Sequence, residues 1–349
     1  MRPTDGEASA CKKSRWPAWL GLLLAALALS CGARAQEALP LAEGVHVFVG
    51  DTGEPSPANR GRVGNIGFVV GERGTVMINA GTSYRHGRAL LAAAERIGGK
   101  PVVLVVITQP VQEFVMGAAA FADRGIPVLA HRASAGLIAA RCEVCLHTLR
   151  TVLGEEEMAG SRPQLPDRLV DEGERIEAGG RVLELIHPGW ASSPGDLIVR
   201  DVRSGVVFTG TLVSVGRVPE LRDGDPQGWL AALAELQAMA RREPGTGAGH
   251  TQAADGSTAT PAPARRASIA RIVPGYGPPV SADALDAMHD YLADTEALVH
   301  TLFAAGTPLS GLVQAAQLPR YAGWALYEPA HGRNVQQRYL ALERATLAE

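Results

Sequence analysis

The chain has 349 residues, 46% of them hydrophobic and 20% charged, with 40 Gly, 23 Pro and 4 Cys. This excludes a disordered tail, a collagen-like repeat and a disulfide-dense miniprotein, and leaves ample length for a large core. With 33 Lys and Arg against 36 Asp and Glu the net charge is −3, too even to point to a nucleic-acid partner.

In chain order, Lys12, Lys13 and Arg15 make a basic start, and an apolar run covers Leu20 to Leu29. Ala33-Arg34-Ala35 then gives a small-x-small cleavage pattern before Gln36. The run is too short to span a bilayer, so residues 1–35 are expected to be a signal peptide, removed on export to the periplasm. No Arg-Arg pair is present in this segment, which favours the general export route. Lipid attachment at Cys31 is the competing reading, weakened by Ala28 where Leu is usual. Residues 1–35 hold five basic and two acidic side chains, so the mature chain carries about −6. No later stretch is apolar for long enough to make a membrane helix.

Alternation predicts strands at Val45 to Val49, Ile66 to Val70 and Val76 to Ile78. Leu90, Leu91, Ala94 and Ile97 fall at helical spacing. The uncharged, β-branched Val102 to Ile107 reads as a strand covered on both faces. A helix is expected near 115–123, a short strand at Pro127 to Leu129, and a long helix over 133–153.

That long helix carries Cys142-Glu143-Val144-Cys145, the only cysteines left after cleavage at Ala35. In an oxidising compartment such a pair is expected to form a local disulfide, and a thioredoxin-like redox role is the alternative. Haem attachment would need His directly after the second Cys, where Leu146 stands.

After a polar loop, strands are expected at 181–187, 196–201 and 204–209. Trp229, Leu233, Leu236 and Met239 mark a helix with one apolar stripe, and 243–267 reads as a disordered insertion rich in Gly, Ala, Thr and Pro. A strand at Arg271 to Val273, a long helix through Leu285, Met288, Leu292, Val299 and Leu302, and two shorter helices close the chain. Two strand-and-helix halves predict an α/β protein, an αββα sandwich with a C-terminal helical extension. The expected division is signal peptide 1–35, main domain 36–280 and helical extension 281–349.

Several strings resemble the metallo-β-lactamase fold superfamily over about residues 40–280. They are Gly64-Asn65-Ile66-Gly67-Phe68-Val69-Val70, Val76-Met77-Ile78-Asn79-Ala80-Gly81, and Val105-Val106-Ile107-Thr108 with Gly117 nine residues on. Ala191-Ser192-Ser193-Pro194-Gly195-Asp196-Leu197, Phe208-Thr209-Gly210 and Val273-Pro274-Gly275-Tyr276-Gly277 follow. The tail, with Trp324-Ala325-Leu326 and Arg333-Asn334-Val335, resembles the exported branch associated with quinoprotein and sulfur-oxidation systems.

The resemblance implies a His-x-His-x-Asp-His string after the strand ending in Thr, then a His, a bridging Asp and a last His from later loops. Imidazole and carboxylate suit zinc, which lowers the pKa of bound water from about 16 to about 7. Here Gln109, Val111 and Phe114 stand at the three His positions and Glu113 at the Asp position. Ser192, Thr211 and Tyr276 stand at the later three, and Asn79 replaces the usual acidic residue. No zinc and no other cofactor is therefore expected. The nine His show no His-x-His or His-x-x-x-His spacing and are expected to be isolated, on the surface or locally hydrogen-bonded.

Two functions follow. One is a noncatalytic binding or accessory protein, with Gln109, Val111, Glu113, Phe114, Ser192, Thr211 and Tyr276 around the former site, either lining a small-molecule pocket or plugging it. The branch resemblance adds a periplasmic dehydrogenase or cytochrome as partner. The other is a hydrolase, either metal-free with Glu113 as base, Ser192 as nucleophile and Tyr276 assisting, or using relocated metal ligands. A plugged site predicts no cavity near Phe114, while an enzyme predicts an open cleft around Glu113.

Overall fold

The computed structural model describes residues 37–241 and 269–348. The expected signal segment with Cys31, and the 243–267 insertion, lie outside the described residues.

The first half opens with β1 (Ala38–Ala42), β2 (Val45–Phe48), β3 (Ile66–Val70) and β4 (Thr75–Ile78). Helix α1 (Tyr84–Gly98) follows, then β5 (Val102–Val106), two short helices α2 (Gln112–Val115) and α3 (Ala119–Ala122), and β6 (Val128–His131). The long α4 (Arg132–Leu153), a turn of helix α5 (Glu155–Met158) and β7 (Arg168–Val170) complete it. These strands form one sheet in the order β1-β2-β3-β4-β5-β6-β7. Its first four strands pair antiparallel, and β4 to β7 run parallel.

The second half has β8 (Glu174–Ala178), β9 (Arg181–Ile186), β10 (Ile198–Asp201), β11 (Val206–Ser214), α6 (Pro226–Arg241) and β12 (Arg271–Tyr276). Its sheet runs β12-β11-β10-β9-β8, with only β11 and β12 parallel. The helices α7 (Leu285–Ala304), α8 (Leu309–Ala315) and α9 (Gly332–Ala348) end the described chain.

Period-two alternation assigns each strand's residues to two cores. In β5, Val105 faces α1 and α4, whereas Leu104 and Val106 face the second sheet. In β11, Val206 and Phe208 face the first sheet, while Val207 and Leu212 meet Trp229, Leu233 and Leu236 of α6 and Met288 and Leu292 of α7. Helices thus cover the outer faces of two stacked sheets, the expected αββα sandwich. The C-terminal helices continue this outer layer: α7 joins the second-sheet core, and Val299, Leu312, Val335 and Tyr339 make a further cluster among α7, α8 and α9. Between the two sheets, a Cβ on Gly67 would lie 2.1 Å from the ring of Phe208, so β3 needs glycine there.

Two expectations on local structure change. The helix near 115–123 is two short helices, because the Gly117 N–H leaves the helical ladder to donate to the Gly81 carbonyl. The polar loop before Arg181 contains β7 and β8, edge strands whose mixed exposure gives no apolar run.

Candidate functional site

The expected site residues converge at the carboxyl ends of β4, β5, β11 and β12. Asn79 follows β4 with φ +68°, a left-handed conformation that Asn tolerates better than most residues. Its Oδ1 accepts from the Thr108 backbone N–H and hydroxyl, both at 2.9 Å, which ties β4 to the end of β5. Next to it, Gln109 is fully buried. Its Nε2 donates to the Thr209 carbonyl at 3.2 Å and its Oε1 accepts from the Thr211 N–H at 3.0 Å. The side chain is a strut between the two sheets.

The 191–197 loop is organised by Asp196, which is fully buried. One carboxylate oxygen accepts the Ser192 and Ser193 N–H groups at 2.6 and 3.0 Å, and the other accepts their hydroxyls at 2.8 and 2.7 Å. Burial pushes the Asp196 carboxyl up, against the downward pull of these donors. Ser192 Oγ also lies 2.9 Å from Thr211 Oγ1, so both hydroxyls are engaged. Ser192 therefore has the Asp196 carboxylate beside it, four residues on in the same loop.

Phe114 and Tyr276 stack with ring centres 6.1 Å apart, and the Arg217 guanidinium lies 3.8 Å above the Tyr276 ring. Arg217 is buried and donates to the Thr52 and Gly53 carbonyls. Burial and the nearby Glu113 push the Tyr276 phenol well above its ordinary range. Phe114 is fully enclosed beneath this stack, but the site is not plugged. A cleft of about 370 Å³ opens above it, lined by Gln109, Val111, Glu113, Ser192, Thr211 and Tyr276. The structure thus brings six of the seven positions to one cavity and leaves Phe114 as the floor behind Tyr276.

Glu113 is 5% exposed, and its carboxylate has no side-chain partner within hydrogen-bonding distance among the described residues. Burial raises its pKa from 4.5, opposed by the Arg217 charge. A raised folded-state value means stability that is full below about pH 4.5 and lost as pH climbs through that raised value. Glu113→Gln is therefore expected to raise the melting temperature by a few degrees at pH 7 and leave it unchanged near pH 4. Thermal unfolding at both pH values checks this, and an equal shift at both contradicts it.

Sequence reasoning missed three features of the cleft wall. Arg217 follows β11 with no motif around it. The Arg141–Asp223–Arg222 ion-pair cluster joins residues about eighty positions apart. Cys145 also lines the cleft, and the expected disulfide is corrected: Cys142 and Cys145 are free thiols. Cys142 is packed in the core with Ile138, Leu146 and Leu149, while Cys145 faces the cleft one helical turn on. His187 is locally hydrogen-bonded, as expected. It stacks on His131 with ring centres 4.1 Å apart and bonds the Asp196 carbonyl, outside the cleft lining. His250 lies outside the described residues.

As a donor set for a divalent metal, the seven positions do not fit. Val111 and Phe114 carry no donor atom, and both amide atoms of Gln109 are spent on backbone. The hydroxyls of Ser192 and Thr211 bond each other, and the Tyr276 phenol is held protonated by burial. Glu113 alone remains, where zinc takes three or four nitrogen, sulfur or carboxylate ligands. No group of three or more His, Cys, Asp or Glu is placed to hold a metal among the described residues.

The family profile described as "Metallo-beta-lactamase superfamily" matches residues 59–250. No curated protein matches the chain. Among solved structures, the chain is similar to a metallo-beta-lactamase from Pontibacter korlensis, at 19% identity and a TM-score of 0.54, covering 74% of this chain and 98% of that one. It is also similar to one from Hirschia baltica, at 15% identity and a TM-score of 0.53, covering 73% and 96%. These likenesses concern the fold.

Proposed function

The chain belongs to the metallo-beta-lactamase superfamily, and from that premise we propose that it is an exported, noncatalytic binding or accessory protein built on that fold. One observation carries the reading: the Gln109, Ser192 and Thr211 side chains are hydrogen-bonded to one another or to backbone, beside a cleft that stays open. Gln109 and Ser192 act as structural ties. Above them Val111, Tyr276 and the Glu113 carboxylate face a space suited to a small organic molecule that presents a hydrogen-bond donor or a cation to Glu113. Export rests on the basic start, the apolar run and the cleavage pattern in residues 1–35. No described helix is long and apolar enough to cross a membrane. The resemblance of the tail to the quinoprotein-associated branch supports a periplasmic dehydrogenase or cytochrome as partner.

The test is metal content by mass spectrometry on chain purified without a histidine tag from zinc-supplied cells. The expected result is zinc far below one ion per chain. One or more ions per chain would overturn the reading. N-terminal sequencing of the periplasmic fraction should find Gln36 first, and a chain retaining Met1 in the cytoplasm would refute export.

A further inference from the structure

The cysteine pair takes no part in the reading above, since neither thiol stands at a former ligand position. We propose that Cys145 and Cys142 form a thiol–disulfide exchange site in the cleft wall, with Cys145 attacking, Cys142 resolving, and low-molecular-weight organic disulfides as substrates. Four observations converge on it. Cys145 is partly exposed and lines a cleft large enough for a small molecule. Cys142 precedes it by one turn of α4, a spacing of about 5 Å between Cα atoms, within the range that a disulfide bridges. The Cys142 thiol is buried in the core, so the second thiol is shielded from solvent one helical turn from the first. The same cleft holds the buried Glu113 carboxylate, which has no side-chain hydrogen-bond partner among the described residues and offers a bound molecule an acceptor.

The neighbouring Cys142 thiol and the Arg222 charge lower the Cys145 pKa, which favours the thiolate at this sulfur. The thiolate attacks one sulfur of R–S–S–R. The S–S bond breaks, and the departing RS⁻ takes up the proton that Cys145 had released. Cys142 then gives up its proton and attacks the Cys145 sulfur, expelling the second RS⁻, which takes that proton. Two protein thiols are oxidised to a disulfide, and one organic disulfide is reduced to two thiols.

The test treats the reduced full chain with cystamine, quenches with acid and maps the tryptic peptide 142–150, which holds both cysteines apart from Cys11 and Cys31. The unchanged chain should yield this peptide two hydrogens lighter, with no adduct. Cys142→Ser and Cys142→Ala should each retain one half-cystamine on Cys145, and Cys145→Ser should stay unreacted. The rate should rise as the Cys145 thiol ionises and, at pH 7, exceed that of the same peptide in the urea-unfolded chain. A stable adduct on the unchanged chain, or a rate no higher than in the unfolded chain, would overturn the proposal. Because the readout needs no metal and no cleft ligand, it succeeds or fails separately from the binding reading.

Discussion

Gly210→Ala is expected to cost the fold about 3 kcal/mol or more, because a left-handed backbone and a buried strut meet at that residue. Gly210 has φ +52°, a conformation that costs a residue with a Cβ about 1–2 kcal/mol. The added Cβ would also lie 1.7 Å from Gln109 Oε1 and 2.5 Å from Thr108 Oγ1. Gln109 would have to leave, surrendering its bonds to Thr209 and Thr211 and leaving a buried N–H without its acceptor, at about 1–3 kcal/mol. Gln109→Ala alone gives up the same bonds but creates no clash. The double variant should therefore fall short of the sum of the singles by more than about 1 kcal/mol, as expected for residues in contact. Urea unfolding of the four proteins measures this directly. Simple additivity would mean that Gln109 is not seated against Gly210.

The second large effect separates two substitutions at one residue. Asp196→Ala is expected to cost about 3–5 kcal/mol, since two buried backbone N–H groups and two serine hydroxyls lose their acceptor together. Asp196→Asn is expected to cost less than about 1 kcal/mol. The reason is the division of labour between the carboxylate oxygens. One takes only backbone donors, which an amide oxygen serves equally well. The other takes only hydroxyls, which turn to accept from an amide NH₂. Ser192 then still reaches Thr211. If Asn proves as damaging as Ala, the loop needs the negative charge itself, and Asp196 is more than a geometric anchor. Chemical denaturation of both variants distinguishes the outcomes.

Much of the sandwich was legible because burial on one or two faces writes itself into short runs. Val102 to Val106 has no polar residue, since both its faces are covered. The stripe of Trp229, Leu233, Leu236 and Met239 on α6 states which side meets the sheet. The elements that were missed are those that bury little. β1 contains Pro40 and is partly exposed, while β7 and β8 are polar edges held by ladder hydrogen bonds that leave no hydrophobic period. The last helix, Gly332–Ala348, is shorter than α7 as expected, and its stripe through Val335 and Tyr339 packs against α7 and α8.

The sequence by itself determined the identity of the side chains at the seven site positions, because side-chain chemistry is local. Val111 and Phe114 have no donor in any fold. Tertiary structure alone decided what those residues became, because hydrogen bonding and packing join positions a hundred residues apart. Gln109 is a strut only because Thr209 and Thr211 lie across the sandwich. Tyr276 is capped only because Arg217 folds over it, and Cys145 looks into the cleft only because α4 packs along its wall. Whether the space above Phe114 was filled or open depended on those same long-range contacts, and they leave it open.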